Sequence, residues 1–90
     1  MQIGEVVKAT AGKEKENIFV VVSAQDNFVY IANGKRLSIL KPKKKNVKHI
    51  QKVSSERLNL SESDLKLKST DAMVRKFLKT QKERICQKKM

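Results

Sequence analysis

"IFVVVSAQDNFVYIANG", residues 18–34, decides the fold. A strand with one wet face alternates apolar and polar residues, because successive side chains point to opposite faces. Here Ile18, Val20 and Val22 face one way while Phe19 and Val21 face the other, so both faces are expected to be covered. Gln25-Asp26-Asn27 breaks the run as a turn, and Phe28–Ala32 reads as the next strand, with Phe19 and Phe28 both read as core. Asn33-Gly34 then fits a two-residue hairpin turn of type I′, which needs φ > 0 at both central residues.

Outward from this hairpin the strand period continues. "IGEVVKA" (3–9) is short and β-branched, and "AGKEKEN" (11–17) is a charged loop around Gly12. Downstream, "KRLSIL" (35–40) is read as the fourth strand and "VKHI" (47–50) as a short fifth. Five short strands with tight turns predict a mainly β fold, a small SH3-like or OB-like barrel spanning about residues 3–50. The stretch "KPKKKNVKHIQK" (41–52), with six lysines and no acid, opens between these last two strands. It is read as a loop pinned at both ends by the barrel and stiffened by Pro42. A nuclear-localisation reading of "KPKKK" would presuppose a nucleus.

From residue 54 the pattern changes. "SSERLNLSESDLKLKS" is rich in serine and acid, and reads as a connector that docks leucines intermittently, with a helical turn near Ser61. A helix is expected over most of 70–86, capped by Ser69 or Thr70 with Asp71 in its first turn. Met73, Val74, Phe77, Leu78 and Ile85 fall on one face, and Arg75, Lys79 and Lys82 on the other. The apolar face is expected to pack on the barrel and cover its second side. Residues 1–53 are thus read as the barrel, and 54–90 as a connector plus helix.

The chain has 90 residues, with 21 Lys and Arg against nine Asp and Glu, a net charge of +12. Such a field attracts polyanions, nucleic acid before an anionic membrane surface. The lone Cys86 allows neither an internal disulfide nor a cysteine-based zinc site, and a reducing, cytoplasmic setting is expected. No apolar leader opens this sequence and no run of about 18 apolar residues could cross a bilayer. The single His49 lacks the partners that catalysis or metal binding requires. Gly12 and Gly34 are isolated turn glycines rather than a phosphate cradle. No catalytic residues, metal or cofactor are expected, and no enzyme.

Several motifs carry a resemblance. Gly4-x-Val6 opens a strand that leads to Gly12-Lys13-Glu14. An apolar strand, Asp26-Asn27-Phe28-Val29 and Gly34 follow, and a basic run ends in Asn46-Val47-Lys48-His49-Ile50. Over a little more than half its length the chain resembles the KOW-type domain of archaeal and eukaryotic large-subunit ribosomal proteins and their small bacterial KOW-domain relatives. It carries Glu16-Asn17 where that family has a second glycine in the first loop. The resemblance implies a five-stranded SH3-like (KOW) barrel, with a C-terminal helical extension here, that binds ribosomal or other structured RNA through its loops.

The expected RNA-binding residues are Lys13, Lys35, Arg36, Lys41, Lys43, Lys44, Lys45, Asn46, Lys48 and His49. Lysine is a point charge suited to phosphate rather than to reading bases. With few aromatics to stack unpaired bases, shape-directed binding to folded RNA fits best. The partners expected are RNA, ribosomal RNA foremost, then ribosomal proteins, with no membrane, for a protein that is monomeric when free and ribosome-associated in the cell. The alternative is a protein-interaction module of SH3-like type that uses the C-terminal helix to hold a partner. A proline-peptide groove or methyl-lysine cage needs clustered aromatics, which this chain lacks. A binder of duplex DNA or membrane driven by charge alone is the third reading.

Overall fold

A computed structural model describes residues 2–10 and 17–88, with side chains through Arg84. Five strands form one antiparallel sheet: β1 (Glu5–Ala9), β2 (Ile18–Gln25), β3 (Phe28–Ala32), β4 (Lys43–Asn46) and β5 (Ile50–Arg57), in the order β4-β3-β2-β1-β5. One α-helix among the described residues, α1 (Thr70–Lys88), follows a 3₁₀ turn at Asp64–Lys66. Among the described residues no helix is long and apolar enough to cross a membrane.

The doubly apolar β2 behaves as its sequence demands. Phe19 and Val21 lie in one buried cluster with Val7, Val29 and Ile31. Val20 and Val22 lie in a second, with Val6, Ala32 and Ile39, and there α1 supplies Val74 and Leu78 as the cover. Val74 and Leu78 are buried, Phe77 is half-buried, and Met73, expected on the packed face, is 41% exposed. The helix is therefore rotated so that Gln81 continues the buried stripe. The Gln81 side chain accepts from the Ser54 hydroxyl (2.7 Å) and donates to Glu56, tying α1 to β5. Ile85 and Cys86 have side chains outside those described.

Among the described residues no helix packs on the Phe19 face, yet its side chains are buried. Its cover comes from curling of the sheet. No ladder joins the edge strands β4 and β5 among the described residues, so the sheet is open. Only the 3₁₀ turn Val47–His49 separates them in sequence. In a flat sheet four inter-strand steps would hold these edges about 19 Å apart. A three-residue 3₁₀ turn advances only about 6 Å. The sheet must coil to satisfy that connection, and Leu37 and Val47 pack onto the concave cluster. Register shifts between Glu5 and Val7 and between Val21 and Ser23 supply the bends.

Four expectations need correction. "KRLSIL" is not a strand. Asn33 does not adopt positive φ, as a type I′ turn requires; only Gly34 (φ 76) does. The Asn33 carboxamide instead accepts from the N–H groups of Lys35 (2.9 Å) and Leu37 (3.1 Å), an Asx-type turn that coils the chain. The true fourth strand is the lysine stretch itself, which pairs from Phe28↔Asn46 to Ile31↔Lys43. Its charge suits an edge position, where lysines deter pairing with other chains. "VKHI" contributes a 3₁₀ turn and only the first residue of β5, which runs to Arg57 through residues read as connector. Because β5 is the other edge, its Gln51, Lys52, Ser55, Glu56 and Arg57 remain exposed, so the strand carries no apolar alternation.

One titratable group is built into the β1–β5 seam. Glu5 is buried, accepts from the Gln2 N–H (2.5 Å), and lies 3.3 Å from the Lys52 ammonium. Burial pushes its carboxyl up, but the Gln2 N–H and Lys52 outweigh that and hold it below the ordinary glutamate value. A carboxyl lowered on folding stabilises the protein above its unfolded pKa, and that contribution is lost as pH falls through the folded one. Glu5→Gln is expected to be less stable than wild type at pH 7 and to flatten the fall in Tm below about pH 4. Matching acid limbs in the two Tm–pH curves would remove Glu5 from the account.

Candidate nucleic-acid interface

The expected basic residues fall on three pieces of structure. Lys35, Arg36 and Lys41 are exposed on the loop between β3 and β4. That loop is held from beneath by the first turn of α1. The Asp71 carboxylate accepts from the Ser38 hydroxyl and from the Ile39 N–H, each at 2.7 Å, and Arg75 Nη1 donates to the Gly34 carbonyl at 2.6 Å. Sequence placed Asp71 as a partner for the helix dipole, and its larger role is to clip this loop.

The second piece is β4, and here alternation divides the lysines. Lys43 and Lys45 pair with Ile31 and Val29, whose side chains belong to the concave cluster, and both lysines are half-buried. Lys44 pairs with Tyr30 on the opposite face and is exposed. A loop presenting all three together is thus replaced by a strand that turns them to different sides.

The third piece is the 3₁₀ turn. Asn46 Oδ1 accepts from the Lys48 N–H (2.9 Å), capping the turn, and the Val47 N–H donates to the Asn27 carbonyl (2.9 Å). Lys48 and His49 are exposed, and the His49 carbonyl accepts from the Thr10 N–H (2.8 Å). Lys13 lies outside the described residues. Among those described, no cluster of His, Cys, Asp or Glu could hold a metal ion.

Phe28 is the residue that sequence reasoning misplaced. Expected in the core, it is 38% exposed, and the Lys44 ammonium sits 4.2 Å from the centre of its ring. The signal was available: Val29 and Ile31 point inward, so strand alternation turns Phe28 and Tyr30 outward. Arg75, Lys79 and Lys82 are exposed along α1, as their spacing requires.

No protein-family model matches this chain, and no curated protein matches it either.

Proposed function

We propose that this protein binds structured RNA, ribosomal RNA foremost, as a component of the translation apparatus in the cytoplasm, and that its coiled sheet is a KOW-type SH3-like barrel. The observation that carries this reading is the fixed display of cations from Lys41 to Lys48. A tag would wave these five lysines in solvent. Here β4 is hydrogen-bonded along β3, and the turn after it is capped by Asn46 and tied to Asn27. Cations held in place lose less freedom on meeting phosphates than cations on a mobile chain. The sequence resemblance and the net charge of +12 point the same way.

The partner-helix alternative is less well supported, since α1 buries Val74 and Leu78 against its own sheet. Sedimentation with ribosomes across a salt series tests the proposal. The protein should pellet with ribosomes at low salt, leave them after RNase treatment, and be displaced by ribosomal RNA at lower concentrations than by duplex DNA. Retention on RNase-treated particles would favour a protein partner, and equal displacement by duplex DNA would reduce the binding to bulk charge.

A further inference from the structure

We propose that Phe28, Asn46 and Lys44 form a seat for one unpaired RNA base. The inference rests on the RNA-binding reading and adds to it a place where the RNA must be unstacked.

A large apolar ring left more than a third exposed needs a reason when its neighbour Val29 is 1% exposed. Phe28 opens β3 immediately after the two-residue turn Asp26-Asn27, where Asp26 adopts φ 49. The bond from the Val47 N–H to the Asn27 carbonyl fastens that turn to the 3₁₀ segment, so the ring projects from fixed backbone. Its cross-strand neighbours are Gln25 and Asn46. These polar flanks suit a flat π-system with a polar rim better than an apolar side chain, which would leave their amides dry and unpaired.

Asn46 adds direction. Directly opposed residues on paired strands share a face with Cβ atoms about 5 Å apart, so this amide stands beside the ring. Its Oδ1 is committed to the Lys48 N–H, which orients the group. Its NH₂ has no partner among the described residues and can donate to a ring nitrogen or carbonyl of a base stacked on Phe28. Lys44, now over the ring, would exchange that contact for the adjoining phosphate, with exposed Lys48 as a second cation. Asp26 on the turn repels phosphate from the opposite side, so the strand is expected to enter from β4.

Stacking on an aromatic side chain contributes affinity that salt does not screen, whereas lysine–phosphate contacts set the salt dependence. The full chain should therefore be titrated by fluorescence anisotropy with a 12-base-pair RNA duplex carrying one bulged adenine, and with the same duplex lacking the bulge. Wild type should prefer the bulged RNA. Phe28→Leu should lose about 5- to 100-fold on the bulged RNA alone, with an unchanged slope of log affinity against log salt. Its Tm should stay close to wild type, since the ring is not core. Equal binding of both RNAs by wild type, or a preference that survives in Phe28→Leu, would overturn the base seat while leaving phosphate binding intact. Failure of wild type to bind either RNA would remove the base seat and the RNA reading together.

Discussion

Gly34→Val is expected to cost about 4 kcal/mol or more of folding free energy, enough to threaten a chain of this size. Gly34 has φ 76, a region in which a β-branched residue is a steric outlier. Strain of that kind costs roughly 1–3 kcal/mol by itself. A Cβ there would also lie 2.4 Å from the Asp71 carbonyl oxygen and 2.9 Å from Arg75 Cγ. The first of these is helix backbone and cannot rotate away. Relief requires the β3–β4 loop to part from α1, which breaks the Arg75 bond to the Gly34 carbonyl and strains both bonds to Asp71. Hydrogen bonds to charged groups contribute about 1.5–3 kcal/mol each. Small domains have only about 5–15 kcal/mol in total, so the urea midpoint should drop steeply or the variant should be unfolded in water. An unfolding free energy within about 1 kcal/mol of wild type would mean that the loop does not rest on the helix.

The second large effect is on binding. Lys41→Ala, Lys44→Ala and Lys48→Ala combined should make the salt slope of RNA affinity shallower by about two units, at 0.7–0.9 units for each phosphate neutralised. The three are exposed and lie on the loop, the edge strand and the 3₁₀ turn in succession. Exposed side chains away from special features usually shift stability by less than about 0.5 kcal/mol, so the fold should survive. The loss should be similar across RNA sequences, because phosphate contacts carry no base information. An unaltered slope with full affinity would move the binding surface elsewhere on the molecule, with the exposed Arg75, Lys79 and Lys82 of α1 as the next set to change.

Much of the architecture was legible because burial writes it into the sequence. Ile18–Val22 demanded cover on two faces, and the coiled sheet on one side and α1 on the other provide it. The helix start was legible from Ser69, Thr70 and Asp71. What failed was the reading of edges. Lys43–Asn46 is a strand because β3 offers it a hydrogen-bonding partner, and nothing in four polar residues encodes a neighbour that distant in character. Asn33-Gly34 misled for a related reason. The asparagine spends its side chain on its own loop, and the glycine is required by the helix passing over it. At the candidate site the lysines were evident from charge alone, but their division between two faces follows from strand alternation, which no one expects of a loop. Phe28 was lost by treating an aromatic residue as core by default, although Val29 and Ile31 already assigned it to the other face.

The position of β1 between β2 and β5 has a consequence for the order in which the chain is made. As residues leave the ribosome from the amino terminus, β1 and β2 can pair early, but the partner of Ala9 is Ile50 and that of Glu5 is Arg57. Until those residues emerge, β1 presents a bare hydrogen-bonding edge and the Val7–Phe19 face lacks its concave closure. Contacts of such long sequence separation form slowly, and unpaired edges invite association. A nascent chain halted before residue 57 is thus a sticky sheet with β1 as a bare edge, whereas one released past the leucines that follow can pair β1 on both sides. The same basic stretch that is proposed to grip RNA lies just ahead of the closing strand, so the cations emerge while the sheet is still incomplete.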